Sequence, residues 1–156
     1  MADPKPRRMT ETQTKILKAI MTPFSRLQAW RYLRSQGRSM GTLLGRDICV
    51  VSMTGAKTGK RRDVPLMYVP YGEGVILVAS LGGAPRHPTW YYNLVKHPDV
   101  DVHVKGRTLA LRARRASPEE KARVWPICCE HYPDYATYQA RTDRDIPVFL
   151  CEPVGD

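Results

Sequence analysis

Several features of membrane-spanning and secreted proteins are missing from this chain of 156 residues. No stretch approaches 18 uninterrupted apolar residues, so no segment is predicted to cross a membrane as a helix. Residues 1–8 carry charges with no apolar run behind them, which argues against a secretory signal. The four cysteines show neither C-x-x-C spacing nor a disulfide framework. Together these absences predict a cytoplasmic protein in a reducing compartment.

Acidic residues are scarce in the first part of the chain. Residues 1–62 hold 14 Lys and Arg but only three acids, whereas residues 63–156 hold 11 Lys and Arg and 12 acids. The net charge of +10 therefore resides in residues 1–62, where we expect an anionic partner to bind. Nucleic acid is not the predicted partner, because the chain has no helix-turn-helix, zinc finger or RNP-type motif.

The apolar and charged fractions, 42% and 26%, are those of an ordinary globular chain with one main domain. Residues 1–9 are predicted to form a flexible basic arm. Residues 10–44 form an N-terminal amphipathic helical segment, in which Pro23 is expected to separate two helices. This segment could rest on an anionic bilayer or dock on the domain with its apolar residues in the core. Residues 45–156 form the main domain.

The main domain is predicted to be α+β, with more strands than crossover helices. β-rich runs cover residues 48–53, 63–70, 75–80, 100–105, 108–113 and 146–151, and short helices cover 89–96 and 134–141. Ser117, followed by proline and two glutamates, predicts the start of another helix. This order favours a barrel of antiparallel strands with helices at its edges over a doubly wound fold.

A glycine-rich basic segment follows the first of these strands. Its sequence, TGAKTGKRR from Thr54 to Arg62, fails the P-loop pattern because only three residues separate the glycines and Arg61 stands where Ser or Thr is needed. Exposed backbone amides among cationic side chains would still suit a phosphate or a carboxylate. The alternative is a solvated basic hairpin tip.

Two aromatic segments are further candidates for a binding site. Gly82 and Gly83 at a strand end would allow a flat ligand to approach the backbone, and residues 87–93 could stack on it. Tyr135 and Tyr138 share a helix face close to Tyr132 and could line a pocket for a planar substrate. For both segments, ordinary core packing is the alternative. The four histidines have no metal-ligand spacing, and no catalytic triad stands out, so no metal site is predicted.

Several motifs, taken in order, resemble the deazaflavin-dependent nitroreductase family of actinobacteria, which includes quinone reductases and uses coenzyme F420. The matching motifs are T-G-x-K-T-G-x-x-R at residues 54–62, A-S-x-G-G at 79–83, P-x-W-Y-x-N-L at 88–94 and T-D-R-x-I-P at 142–147. Trp125-Pro126, the three tyrosines and Cys151-Glu152-Pro153 extend the likeness. It covers approximately residues 45–154.

The resemblance implies a split β-barrel of the flavin-reductase type that binds F420, a deazaflavin with a phosphate and an oligoglutamate tail. Ala56, Lys57, Thr58 and Arg62 would hold the phosphate. The ring system would contact two strands, through Asp63, Val64, Pro65, Leu66 and Met67 on one and Val78, Ala79, Ser80 and Leu81 on the other. The groove would be closed by Thr89, Trp90, Tyr91, Tyr92 and Asn93. The reacting site would comprise Ser80, Tyr132, Tyr135 and Tyr138, with Tyr135 also touching the coenzyme.

The implied activity is an F420-dependent oxidoreductase that transfers a hydride to a quinone or a nitroaromatic acceptor. This chain departs from the family at Leu81, where a lysine is frequent, and at Met67, where some members have tyrosine. The alternative from another class is a binding protein without turnover, for the deazaflavin or for an anionic surface.

Overall fold

The computed structural model describes residues 4–154, in which a curled antiparallel sheet carries four α-helices at its edges. The helices are α1 Glu11–Arg34, α2 Thr89–Lys96, α3 Pro118–His131 and α4 Asp134–Arg141. The strands are β1 Thr42–Leu43, β2 Arg46–Thr54, β3 Arg61–Met67, β4 Val69–Tyr71, β5 Gly74–Val78, β6 Asp99–Val104, β7 Arg107–Arg115 and β8 Val148–Pro153. Of the predicted basic arm, residues 1–3 lie outside the described residues.

The sheet is organised around β2, which pairs with β3 on one side and with β6 on the other. From β6 the order continues through β7, β8 and β5 to β4, while β1 pairs with the first residues of β2. The strands β3 and β4 follow one another in the chain but lie at opposite ends of this order. The curled sheet is therefore the split β-barrel that the resemblance implies.

The strand β5 is buried on both faces and separates two hydrophobic clusters. Val75 and Leu77 point into the barrel interior, where they pack with residues of β2, β6 and β8. Ile76 and Val78 point outward into a second cluster that is covered by α3 and α4. Because successive side chains of a strand point to opposite faces, a strand buried on both faces needs an almost continuous apolar run.

Helix α1 differs from its prediction in two ways. Its residues form one helix through Pro23, so the expected division at Pro23 is wrong. The helix begins with a capping box in which the side chains of Thr10 and Gln13 accept from each other's backbone amides.

The second difference is the face that α1 buries. The packed residues are Thr14, Gln28, Ala29 and Tyr32, and the last two join Ile48 and Val50 in a small core cluster. The periodic apolar residues are exposed instead, namely Ile16, Ile20, Phe24, Leu27 and Trp30. Of the apolar stripe, only Leu33 packs against this cluster, so the alternative in which the apolar residues of α1 serve as core is wrong for the other five.

The predicted strand over residues 63–70 is two strands with a break at Tyr68. The tight turn at Gly72 folds β4 back against β5, while β3 remains paired with β2. Within residues 4–154, no helix is long and apolar enough to cross a membrane.

Candidate functional site

The glycine-rich basic segment forms the turn of the β2–β3 hairpin. The amide of Gly55 donates to the carbonyl of Lys60 at 2.8 Å, and the amide of Gly59 donates to the carbonyl of Gly55 at 2.9 Å. A Cβ at Gly55 would lie only 3.0 Å from Oγ1 of Thr58. Glycine at this position therefore allows the compact turn that the sequence predicts.

Helix α2 braces this turn from one side. Oδ1 of Asn93 accepts from the amide of Ala56 at 2.9 Å, and Nζ of Lys96 donates to the carbonyl of Ala56 at 2.8 Å. The Asn93 side chain is buried, with Nδ2 lying 3.6 Å from the sulfur of Met53. Asn93 and Lys96 thus position the turn, and nothing in the sequence pointed to this role for Lys96.

Three cations of the turn are unpaired. Lys57, Lys60 and Arg62 are exposed and make no ion pair within the described residues. Arg61, by contrast, contacts Oδ1 of Asp63 through Nε at 2.9 Å. The amides of Gly55, Ala56 and Gly59 already donate within the turn or to Asn93, so the unpaired cations are the groups left to bind an anion such as a phosphate. The turn therefore fits the phosphate end of F420.

The neighbouring polar cluster around Ser52 is a structural network. Ser52 donates to Oδ1 of Asp63 at 2.6 Å and accepts from Nη2 of Arg61 at 3.0 Å. Nε2 of His103 lies 2.9 Å from the same hydroxyl. Because the serine proton is already donated to Asp63, His103 is not placed to activate Ser52 as a nucleophile. This engagement leaves the Asp63 backbone, rather than its carboxylate, for the predicted coenzyme contact.

The strand β3 connects the phosphate end of the site to a cluster of tyrosines. From Arg62 to Met67 the strand advances by about 16 Å. At its far end, Met67 packs against the cluster that contains Val78, Tyr132 and Tyr135. A ligand that contacts both ends would therefore run along β3, as the resemblance implies for F420.

The tyrosines share one hydrogen bond and make edge-to-face contacts. The hydroxyls of Tyr132 and Tyr138 are 3.0 Å apart, and the rings of Tyr132 and Tyr135 meet at 80° with centroids 4.9 Å apart. Burial raises the pKa of Tyr132, and its hydrogen bond to Tyr138 raises that pKa further. Burial also raises the pKa of Tyr135. All three side chains meet as the sequence predicts, and the two buried phenols stay protonated at neutral pH.

The Ser80–Gly83 turn lies beside this cluster and is held by two arginines that sequence reasoning missed. Arg144 donates to the carbonyls of Ala79, Ser80 and Ala84 at 2.8–3.1 Å. Arg141 donates to the carbonyl of Gly82 at 2.9 Å. Arg144 is the arginine of the T-D-R-x-I-P motif, so this motif was the available signal. No pattern marked Arg141.

Leu81 and the two glycines give the turn its shape. All three residues have positive φ, at 45°, 63° and 80°. A Cβ at Gly83 would lie 2.6 Å from the carbonyl oxygen of Tyr138, so helix α4 packs directly on the turn. Close backbone packing therefore holds the turn that contains the buried Ser80 against helix α4, which carries Tyr135 and Tyr138.

The remaining predicted residues lie on α2. Thr89 and Tyr92 are exposed, and the ring of Tyr91 stacks on His87 with centroids 4.1 Å apart. Trp90 instead packs against Phe149 in the barrel core, where its side chain supports α2. A cavity of about 490 Å³ borders the β2–β3 turn through Thr54, Gly59 and Arg61, and another of about 430 Å³ lies against α1. Neither is lined by a residue assigned to the coenzyme.

With this geometry in place, comparison with known proteins decides the family. Residues 24–153 match the family model described as F420H(2)-dependent quinone reductase. The chain belongs to this family. Its coenzyme is F420, and the enzyme class is that of the oxidoreductases.

The names of individual relatives are consistent with this family of F420H2-dependent quinone reductases. A quinone reductase of this name from Mycobacterium tuberculosis strain H37Rv is 42% identical over 100 residues, which cover 62% of this chain and 67% of that protein. The solved structure of an F420H2-dependent reductase called FDR-A is 45% identical with a TM-score of 0.64, covering 67% of this chain and 93% of that one. A structure described as a domain-swapped dimer is 42% identical with a TM-score of 0.67, covering 84% and 98%.

Proposed function

We propose that this chain binds F420 along β3 and reduces quinones with it, and that nitroaromatic compounds are adventitious acceptors. The family supports F420-dependent quinone reduction. The observation that carries the proposal is the hydroxyl pair of Tyr132 and Tyr138, 3.0 Å apart, beside the turn that holds Ser80.

The binding roles follow the resemblance and fit the observed charges. Lys57, Thr58 and Arg62 hold the phosphate, with Ala56 in the same turn. Residues 63–67 and 78–81 contact the ring system from β3 and from the end of β5. When bound in its reduced form, F420 supplies a hydride to the acceptor.

The tyrosine pair can deliver a proton to the acceptor. In a hydrogen-bonded pair of phenols one hydroxyl donates to the other, and the accepting phenol keeps its own proton for a further partner. That proton can be donated to a quinone oxygen as negative charge develops there. The raised pKa of Tyr132 keeps this hydroxyl protonated at neutral pH.

Two assays with the purified chain test this function. Titration with oxidised F420, followed by its fluorescence, measures coenzyme binding. Oxidation of reduced F420 by menadione, and then by a nitroaromatic compound, measures turnover. Absence of F420 binding would overturn the proposal. Binding without oxidation by any acceptor would favour the alternative of a deazaflavin carrier.

A peripheral contact with membranes is a second proposal, and it is supported by the exposed face of α1. Ile20 is 68% exposed, and Ile16 and Trp30 are each 55% exposed on one face of the helix. Several cations lie on the same helix, including Lys15, Arg26 and Arg31. An exposed apolar stripe with neighbouring cations is the arrangement of helices that lie in the interface of anionic bilayers.

Co-sedimentation with vesicles tests the membrane contact. Binding to anionic vesicles that falls in Phe24→Asp and is weak with neutral lipids would support it. A bound fraction unchanged by Phe24→Asp would contradict it. Deletion of the whole helix is a poorer test, because Ala29 and Tyr32 belong to a core cluster.

A further inference from the structure

Arg141 is the last residue of α4 and joins that helix to the Ser80–Gly83 turn. Its Nη1 donates to the carbonyl of Gly82 at 2.9 Å. Tyr138 lies one helical turn earlier on the same face, and the centre of its ring is 5.6 Å from the carbon of the Arg141 guanidinium. Arg141 therefore contacts both the turn and one member of the tyrosine pair.

No acidic side chain neutralises the charge of this guanidinium. Arg141 is half-buried and makes no ion pair within residues 4–154. The nearest acid along the chain, Asp143, pairs with Arg8 at 2.8 Å. The partners of Arg141 are neutral, namely the carbonyl of Gly82 and the ring of Tyr138. A positive charge thus remains uncompensated beside the tyrosines.

The Nε of Arg141 is unusual in a second way. Among the described residues it is the one buried side-chain nitrogen or oxygen that has no hydrogen-bond partner. A buried donor without a partner lowers the stability of the folded state. Arg141 therefore keeps this position at a cost to stability, which favours a functional role over a purely structural one.

An uncompensated cation at this place suits the proton transfer proposed above. A hydride brings two electrons to the quinone, so one quinone oxygen is negative until a tyrosine hydroxyl gives it a proton, which water then replaces. A fixed positive charge nearby stabilises that negative oxygen, most strongly where water is excluded.

We propose that Arg141 is a positioning residue of the reaction, which fixes the ring of Tyr138 against the Ser80–Gly83 turn and keeps a positive charge beside the tyrosine pair. The inference rests on the proposed quinone reduction, because it gives Arg141 a role in proton donation. Arg141 acts through Tyr138 and does not itself donate the proton.

A double-mutant cycle with Tyr138→Phe tests whether Arg141 acts through the Tyr138 hydroxyl. Arg141→Gln removes the charge, whereas the new amide can still donate to Gly82. Single-turnover oxidation of bound reduced F420 by menadione should slow by at least about fivefold in Arg141→Gln. In the Tyr138→Phe background the same change should alter the rate by less than about twofold. Equal losses in the two backgrounds would overturn the inference.

Two further variants separate the charge from a general loss of structure. Arg141→Lys keeps the positive charge and should restore at least about half of the lost rate. Arg123→Gln removes an exposed arginine of α3 and should react like the wild type. F420 affinity, measured by fluorescence, should be the same in all of these proteins. A rate in Arg141→Lys as low as in Arg141→Gln, or weaker F420 binding in Arg141→Gln, would overturn the role of the charge.

Hydrogen exchange of the chain without coenzyme gives a readout that does not depend on turnover. The amides of Gly83 and Ala84 donate within the turn, to the carbonyls of Ser80 and Leu81. In Arg141→Leu, which has no side-chain donor, these two amides should exchange at least about fivefold faster, whereas the amides of α3 should not change. Unchanged exchange in the turn would show that Arg141 does not hold it.

The results also separate this inference from the proposed function. If the wild type does not oxidise reduced F420 with any quinone, the proposed function fails, and the role of Arg141 in it fails as well. If the wild type turns over and Arg141→Gln reacts at the same rate, only the inference about Arg141 is wrong.

Discussion

Arg144 donates from Nη1 to Nδ1 of His87, with 2.9 Å between the two nitrogens. Arginine is always a donor, so Nδ1 of His87 must be unprotonated and accept. Burial lowers the pKa of His87, and the charges of Arg144 and Arg115 lower it further. The hydrogen bond between Arg144 and His87 joins the segment before β8 to the segment before α2. Arg144 also holds the Ser80–Gly83 turn through the carbonyls of Ala79 and Ser80.

This pair predicts a loss of stability at mildly acidic pH. The pKa of His87 is lower in the folded state than its ordinary value of 6.5. Between these two pH values the unfolded state therefore binds more protons than the folded state. The free energy of unfolding should therefore fall as the pH drops from 6.5 towards the lowered value. Urea unfolding of wild type and His87→Asn at pH 5 and pH 7 measures this.

The effect of His87 is isolated by comparing the pH dependence of the free energy of unfolding between wild type and His87→Asn. His103 also has a lowered pKa, with burial as the main cause, and it contributes equally to both. The Asn side chain can still accept a hydrogen bond but does not titrate. A pH dependence that is the same in wild type and His87→Asn would contradict the role of His87.

Replacing Arg144 by lysine should destabilise the chain and loosen the turn at Ser80. Lysine cannot reproduce a planar guanidinium that contacts three carbonyls and a histidine. We expect a loss of at least about 2 kcal/mol in the free energy of unfolding, since hydrogen bonds to charged groups each contribute about 1.5–3 kcal/mol. The exposed Arg123→Lys is the control in the same denaturation series. Similar stability of the two variants would show that Arg144 does not hold the turn.

Gly83→Ala tests the close packing of the turn on α4. The new Cβ would meet the carbonyl oxygen of Tyr138 at 2.6 Å, and φ at Gly83 is +80°. Gly72→Ala is matched for positive φ, but its Cβ would meet nothing within 4 Å. Thermal unfolding should show a clearly larger loss for Gly83→Ala, by about 2 kcal/mol or more. Equal losses would mean that backbone strain, and not packing against α4, requires glycine.

Tyr138→Phe tests the proton-donating pair. It removes the hydroxyl that lies 3.0 Å from the Tyr132 hydroxyl and leaves the ring in place. We expect kcat/KM for menadione to fall by about tenfold or more, consistent with about 1–3 kcal/mol for an unsatisfied polar partner. F420 affinity should hardly change. Tyr71→Phe, on β4, is the control and should retain full activity.

The local elements of the fold could be predicted because their signals are local. Helix α2 occupies the predicted residues, between Pro88 and the His97-Pro98 pair that stops it. Helix α3 begins at the predicted cap, Ser117, with its capping box to Glu120. The grouping of Tyr132, Tyr135 and Tyr138 also follows from spacing along one short segment.

What could not be predicted depends on residues that are distant in sequence. The spacing of apolar residues in α1 shows which of them share a helix face. It does not show which face is buried, because that depends on distant partners, such as the carbonyls of Met40 and Thr42 to which Gln28 donates. Arg144 contacts carbonyls more than 55 residues away. These contacts form only when the folded barrel brings the segment after α4 next to the Ser80–Gly83 turn.

In the proposed complex the unpaired cations of the β2–β3 turn bind the phosphate of F420, and the variant Arg62→Ala removes one of these cations. Arg107→Ala is the control, since Arg107 is also exposed and unpaired within residues 4–154 but lies at the β6–β7 turn. Arg107→Ala removes one positive charge, as Arg62→Ala does, but leaves the proposed phosphate site unchanged.

The measurement is a fluorescence titration of F420 against wild type, Arg62→Ala and Arg107→Ala at low and physiological salt. Arg62→Ala should weaken binding by about 1.5–3 kcal/mol, and Arg107→Ala by much less. Raising the salt should weaken the wild type more than Arg62→Ala, because an exposed charge pair is screened over roughly 8–10 Å. If Arg62→Ala binds F420 as tightly as the wild type at both salt concentrations, the phosphate does not bind at this turn.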